Sequence, residues 1–342
     1  MTSDTLSPAQ TTHAPPARQM TWTRFRAWVL EVPALQVLVV LALAAWLLTT
    51  MPAMANPRSI TSILVITSLL ALAAMGQTLV VILGGLDLAA PGYILFGAFM
   101  AANVAGKLAL PAVVALLITA LVCGGIGALI GWICHRFAVQ PLIVTLGTGA
   151  AITGATLFFA DGDYSSAPPV ELRSLASLRG ATFGLPFPPI ILIVLLCGAG
   201  MWIFLNRTAA GRRFRATGIN FRAAGLTRIR TSAVWTAVFA ASGALAGVAG
   251  VFIASFGSGW SQTIGEPYLF SGLAAVLVGG TIFGSIRGSY TRTLLGALIL
   301  TLLSTIIVSN GLTEAQSRIV FGIIILAVVS LYGRERHVRD RF

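Results

Sequence analysis

The side chains able to do chemistry are few in this chain, and their spacing excludes most kinds of it. Lysine occurs once in 342 residues, as Lys107 in Ala105-Gly-Lys-Leu108. A phosphate loop of the form Gly-x-x-x-x-Gly-Lys-Ser/Thr cannot be built, so the usual route to ATP hydrolysis is closed. His13, His135 and His337 stand far apart in tails or loops, at no metal-ligand spacing. Cys123, Cys134 and Cys197 all fall inside apolar runs and read as small buried hydrophobes. No Ser/His/Asp set and no pair of carboxylates stands at catalytic spacing, which argues against an enzyme.

Two features remain. Asp87 is the one acid between Glu31 and Asp161, in Leu83-Gly-Gly-Leu-Asp-Leu-Ala-Ala-Pro91. The glycines allow close backbone approach there, and the proline bars a helix from running through. An ionisable group in such surroundings is costly unless paired or hydrated. It reads as a carboxylate that caps the next helix or faces an aqueous pathway, against the plainer alternative of a loop Asp at the membrane interface. The second feature is Gly211 to Arg230, GRRFRATGINFRAAGLTRIR, with six arginines and no acid. Asn220 is a good helix N-cap, Phe221-Arg-Ala-Ala224 can form one turn before Gly225 ends it, and Gly218 lets the chain bend into it. A short helix with small residues on one side can seat in a groove of another protein.

The elements that must position these residues follow from composition. The chain is 57% hydrophobic and 9% charged, with mean hydropathy +0.91, whereas a water-soluble domain carries about 25% charged residues. An all-α polytopic membrane protein is expected. Taking about 20 apolar residues per crossing, ten spans are read at 33–51, 60–83, 92–106, 109–134, 142–160, 188–206, 232–256, 269–286, 292–310 and 316–332. The third and eighth are short and flanked by glycine, so broken or re-entrant helices are expected near Gly84-Gly85 and Gly279-Gly280. With both termini in the cytoplasm, only Arg58, Lys107, Arg173, Arg179 and Arg318 of the 22 basic residues fall outside. That is the positive-inside bias, and it accounts for the net charge of +12 without nucleic acid.

The resulting division is a disordered cytoplasmic tail over 1–32, a membrane domain over 33–332 with a cytoplasmic loop at 207–231, and a cytoplasmic tail over 333–342. The longest outer loop, Asp161 to Pro186, is either a face for a partner or a plain connection. Val81-Ile-Leu-Gly-Gly-Leu-Asp87 and Val276-Leu-Val-Gly-Gly-Thr281 each close an apolar run with a glycine pair, as inverted five-helix repeats would. Gln140, Thr145 and Thr148 open the fifth span, where the hydroxyls either meet a solute or bond back to their own helix. Gly127-Ala-Leu-Ile-Gly131 and Gly243-Ala-Leu-Ala-Gly247 suit close helix packing, within the chain or between copies.

From Ile60 to Arg336 the sequence resembles the permease subunits of bacterial ABC importers for monosaccharides, the ribose/xylose/galactose group, whose wider superfamily includes branched-chain amino-acid permeases. Met75-Gly-Gln-Thr-Leu-Val-Val-Ile-Leu-Gly-Gly-Leu-Asp-Leu88 is similar to the second-span signature of that group. Val139-Gln-Pro-Leu-Ile-Val-Thr-Leu-Gly147 resembles its fifth-span element, Gly211 to Gly225 its cytoplasmic coupling segment, and Leu273-Ala-Ala-Val-Leu-Val-Gly-Gly-Thr-Ile-Phe-Gly284 its eighth-span element. Departures are Ala89 for a serine, Pro91 for a glycine, Tyr268-Leu-Phe270 for Tyr-Glu-Leu, and Thr153-Gly154 for Arg-Gly.

The resemblance implies a translocation subunit in the bacterial inner membrane for a monosaccharide or related polyol. It implies no cofactor on this chain, with ATP and Mg held by a separate cytoplasmic ATPase, a periplasmic sugar-binding protein, and a second permease copy, identical or paralogous. Gly211, Arg212, Gly218, Asn220, Ala223, Ala224 and Gly225 would couple to the ATPase. Gly84, Gly85, Asp87, Gln140, Thr145, Thr148, Gly279 and Gly280 would border the pathway. Two rivals stand beside this reading: a branched-chain amino-acid or nucleoside permease of the same superfamily, and an ion-coupled secondary transporter, whose usual intramembrane acids and histidines are missing.

Overall fold

A computed structural model describes residues 33–339, apart from 186, 282 and 285–287. Among these the regular structure is helical, with one isolated bridge between Thr182 and Leu185. The helices are α1 (Ala34–Thr50), α2 (Pro57–Leu83), α3 (Ala90–Phe99), α4 (Ala112–Phe137), α5 (Pro141–Ala160), α6 (Val170–Ala176), α7 (Pro189–Arg207), α8 (Ala209–Ile219), α9 (Phe221–Leu226), α10 (Thr231–Gly257), α11 (Glu266–Val278), α12 (Tyr290–Ser309) and α13 (Glu314–Arg339). Six of them, α2, α4, α5, α7, α10 and α12, are long and apolar enough to cross a membrane. Shorter apolar helices occupy Ala34–Thr50, Glu266–Val278 and Ala315–Ala327. The chain is an all-α polytopic membrane protein. The expected disordered tail over 1–32 lies outside the described residues, and α13 runs on through Arg339, beyond the expected end of its span at 332.

The core is built on two helices that are apolar on every side, the pattern of a helix surrounded by protein. α2 is buried continuously from Thr67 to Leu83, and α10 over much of its length. Asn56 starts α2 by accepting the Ser59 N–H at 2.9 Å, with Pro57 in the first turn. The outer helices α4, α5 and α7 leave large apolar side chains exposed, among them Leu121, Leu146, Phe158 and Leu196. In a bilayer these face lipid tails.

Small residues let the inner helices touch through their backbones. A Cβ on Gly127 or Gly131 would collide with the Phe239 or Trp235 carbonyl of α10, and one on Gly243 with the Cys123 carbonyl of α4. As α4 numbers fall, α10 numbers rise, so the two pack antiparallel. Both small-residue motifs thus serve contacts inside this chain. Gly76 brings α2 against Ser242 in the same way.

α3 and α11 are the short helices that the glycine spacing leads one to expect. α3 has Pro91 in its first turn and is continued by a π-helical stretch over Met100–Ala105 and a last turn over Gly106–Leu108. α11 ends at Val278, eight residues before the expected end of the eighth span, because the chain turns at Gly279-Gly280. In the arginine-rich loop the structure differs from the local expectation at two glycines. Gly218 lies inside α8 rather than at a bend, and Gly225 lies inside α9 rather than ending it. The turn out of α9 falls instead at Thr227-Arg228, where Arg228 has φ 60°.

The α4/α10 contact yields a paired test. Gly127→Val should strongly reduce the monodisperse fraction in detergent, since overpacking of this kind costs about 1–3 kcal/mol or more. Gly125→Val, where a new Cβ meets nothing within 4 Å, should elute and melt like the parent. Equal behaviour of the two variants in size exclusion and thermal melting would contradict this packing.

Candidate functional site

The two glycine breaks fold alike and meet. At the end of α2, Gly84 adopts φ 96°, its N–H donates to the Val81 carbonyl at 3.0 Å, and the Gly85 N–H reaches the Val80 carbonyl at 2.9 Å. At the end of α11, Gly280 adopts φ 81°, with its N–H on Leu277 at 2.8 Å and the Thr281 N–H on Val276 at 3.1 Å. Both are left-handed helix ends that satisfy the last free carbonyls. The residue equivalent to Gly84 is therefore Gly280, one place on from what pairing the two Gly-Gly motifs suggests. The Gly284 N–H donates to the Val81 carbonyl at 3.0 Å, joining the second break to the end of α2.

Asp87 is fully buried between α2 and α3 and acts as a tie. One carboxylate oxygen accepts the Ala89 N–H at 3.0 Å, just ahead of the first turn of α3, and the other accepts the Ser242 hydroxyl of α10 at 2.7 Å. Gln77 of α2 donates its amide to the Asp87 carbonyl, and the Leu88 N–H donates to the Thr145 hydroxyl of α5 at 3.0 Å. Three helices thus hold one non-helical segment. Thr148 donates to the Val144 carbonyl of its own helix at 2.8 Å, and Gln140 is exposed ahead of α5. Nearby, Gln77 Oε1 and Tyr93 Oη are buried without a protein partner among the described residues. Sites of this kind are where ordered water sits.

The arginine-rich loop packs onto this region. A Cβ on Gly218 would strike the Ile82 carbonyl, so the last turn of α8 lies on the last turn of α2. Gly211 lies as closely on Phe204, and Thr208 caps α8 by accepting the Gly211 N–H at 2.9 Å. Asn220 caps α9 by accepting the Arg222 and Ala223 N–H groups at 3.1 and 3.0 Å. Arg212 and Ala223 are exposed, whereas Ala224 is buried. The apolar residues that α9 presents outward are Phe221 and Leu226, 52% and 88% exposed. Neither is a small residue, so the small-residue pattern of this segment does not point to them.

A cavity of about 1060 Å³ opens between α2, α11, α12 and α13. Its wall is mostly apolar, with Ile63, Leu70, Phe270 and Phe321 among its lining, and carries the hydroxyls of Ser59, Ser62, Ser271, Thr301, Ser304, Thr305, Ser309 and Ser317 together with Glu266, Tyr268 and Arg318. Thr301, Thr305 and Ser271 donate to carbonyls of their own helices at 2.7–2.9 Å, leaving their oxygens able to accept. None of the pathway residues read from the sequence is on this wall. The signal is nevertheless present: Ser304, Thr305 and Ser309 follow Thr301 by three, four and eight residues, a polar stripe along the apolar C-terminal part of α12.

The sequence matches the family described as "Branched-chain amino acid transport system / permease component" over residues 59–329. The chain belongs to that family. It is similar to the ribose import permease protein of Escherichia coli (strain K12), 30% identical over 313 residues covering 91% of this chain and 96% of that protein. It is similar as well to the ribose import permease protein of Bacillus subtilis (strain 168), at 30% over 82% of this chain and 86% of that one. The autoinducer 2 import system permease protein of Yersinia enterocolitica is 28% identical over 84% of this chain and 79% of its own length. No solved structure matches the chain.

The tie at Asp87 predicts an asymmetry between substitutions. Asp87→Asn keeps an acceptor for Ala89, and its amide can donate to the Ser242 oxygen. Asp87→Leu leaves two buried donors unpaired, at about 1–3 kcal/mol each. The expected outcome is near-parent folded yield and most of the transport for Asp87→Asn, with loss of both for Asp87→Leu. Parent-like melting and uptake in Asp87→Leu would show that the carboxylate ties nothing.

Proposed function

We propose that this chain is the translocation subunit of an ATP-driven, binding-protein-dependent importer for a monosaccharide or related polyol. The observation that carries the reading is the row of hydroxyls on the largely apolar wall of this cavity, in a chain whose relatives include ribose import permeases. A neutral solute with many hydroxyl groups exchanges its hydration for acceptors and donors of the same kind, and Ser and Thr supply both. In this reading the chain crosses the inner membrane ten times with both termini in the cytoplasm, which puts the cavity toward the periplasm and α8–α9 toward the cytoplasm. A separate ATPase supplies the energy, holding ATP and Mg; this chain needs no cofactor and is not an enzyme. A soluble periplasmic protein selects the solute, and a second permease copy, identical or paralogous, completes the pathway.

One observation favours a second reading. Glu266 and Arg318 both line the cavity, and a pair of opposite charges suits a zwitterion such as a branched-chain amino acid. The ion-coupled rival is weakened by Asp87, the acid buried within the described helical core, because its two oxygens already hold Ala89 and Ser242. Proteoliposomes carrying the permease with its ATPase and receptor protein separate all three readings. ATP-dependent uptake of labelled pentoses or hexoses, unaffected by excess leucine, is expected. Uptake of leucine instead, or uptake driven by a proton gradient without ATP, would overturn the assignment.

The arginine-rich loop has its own test. Exposed Phe221 and Leu226 suit a hydrophobic groove on the ATPase, with Arg212 and Arg222 at the rim. Leu226→Glu should leave folding and insertion intact while lowering receptor-stimulated ATP hydrolysis about tenfold or more, since an interface anchor contributes about 2 kcal/mol. Full stimulation in that variant would move the ATPase contact elsewhere.

A further inference from the structure

The outer end of α3 holds a buried polar network remote from Asp87 and from the cytoplasmic loop. At its centre is Asn103, in the π-helical stretch Met100–Ala105. Its Oδ1 accepts the indole N–H of Trp260 at 2.8 Å, and its Nδ2 donates to the Asp163 carbonyl at 3.0 Å. An indole N–H can only donate and a backbone carbonyl can only accept, so the amide fits in one orientation and both its ends are engaged. Single π turns inside α-helices concentrate at functional sites.

Each partner of Asn103 is itself held. The Asp163 carboxylate meets the Lys107 ammonium at 2.6 Å and accepts the Ser165 hydroxyl and N–H at 2.6 and 2.9 Å. Those bonds, Lys107 first, hold its carboxyl well below the usual carboxylate range. Gly106 lies directly against the Ala167 carbonyl, so this part of the outer loop sits on the last turn of α3. The Trp260 ring packs between Tyr164 of the loop at 4.9 Å and Phe99 of α3 at 5.7 Å.

From Trp260 the chain reaches α11 through two tight turns, Ile264 N–H to Ser261 at 3.2 Å and Glu266 N–H to Thr263 at 3.1 Å. Gly265 is pressed against the Pro91 carbonyl at the other end of α3. Glu266, Pro267 and Tyr268, the next residues, form part of the cavity wall together with Pro91. Two turns and the contact of Gly265 with Pro91 are thus all that separate Trp260 from that wall.

We propose that Asn103 is a positioning residue that ties the outer loop around Asp163 to the cavity wall, so that a soluble protein pressing on the loop shifts the start of α11 and changes access to the cavity. The inference rests on the reading of the cavity as the solute path. Asn103 and Trp260 touch no solute; they set how rigidly α11 follows the loop.

Trp260→Phe is the minimal variant, since it keeps the ring between Tyr164 and Phe99 and removes the N–H. Asn103→Asp keeps the acceptor for Trp260 and places a carboxylate against the Asp163 carbonyl. Each is combined with Ser304→Cys, on the cavity wall, and separately with Ser174→Cys, on exposed α6, after replacement of Cys123, Cys134 and Cys197 by alanine. The readout is the labelling rate by a membrane-impermeant maleimide in intact cells. At position 304 both variants should change the rate about fivefold, the population shift that one lost hydrogen bond produces. At position 174 the rate should stay at the parent value, which a misfolded protein would not give. Labelling at 304 that is present in the parent and unchanged in Trp260→Phe and Asn103→Asp would overturn the positioning role alone. Absence of labelling at 304 in parent and variants alike would overturn the cavity reading and this inference with it.

Discussion

A helix that stops beside an apolar core frees carbonyl and N–H groups, and those turned away from water must find a partner within the protein. That constraint organises the region where α2 and α11 end. Glycine in the left-handed conformation lets the chain fold back and cover its own last carbonyls at Gly84 and Gly280. The stretch that follows Gly84 then needs external partners, and receives them from Gln77, Thr145 and Ser242. Asp87 is the acceptor that makes this arrangement close. A neutral hydrophobe of similar size would leave donors exposed to a medium that cannot solvate them.

The same constraint explains what could be read from the sequence. The Gly84 break, the buried role of Asp87, the start of α9 at Asn220 and the helical character of the apolar segments are local properties, carried by residues within a turn or two of each other. The partners are not local. That Gly127 would face Phe239, or that Gly284 would bond to Val81, depends on how distant helices pack, and small-residue spacing is equally consistent with contacts within or between chains. The cavity escaped attention for another reason. Serine and threonine are tolerated in apolar helices by bonding to their own backbone, so the stripe from Thr301 to Ser309 did not register beside the more conspicuous glycines. In the arginine-rich loop, Phe221 and Leu226 carry no such local mark, because glycine inside a short helix has the same sequence signature as a helix end.

Rigid connections link the faces of the protein to its centre. On one side, Gly218 lays α8 against Ile82 in the last turn of α2, with no side chain between the two backbones. The next carbonyl back, Val81, accepts Gly284 from beyond the end of α11. Any displacement of α8 therefore acts on both glycine breaks together. On the other side, Trp260 leads through two turns into the start of α11. α11 itself packs along α2, with Gly272 facing Ala74.

With 13 residues α11 is about 20 Å long, roughly two thirds of the hydrocarbon thickness. A helix that short is not anchored at both membrane surfaces by its own ends. Its position is set by what it packs on, α2 and α12 along its length, together with the Gly265 contact on Pro91 at its start and the Gly280 turn at its finish. Packed interiors respond to force by switching between discrete arrangements rather than by bending. α11 is held along its length as α2 and α10 are, because Gly296 of α12 lies directly on the Ala275 carbonyl and Gly272 faces Ala74. A shift at the start of α11 thus has to carry its contacts with α2 and α12 along with the cavity wall that it forms.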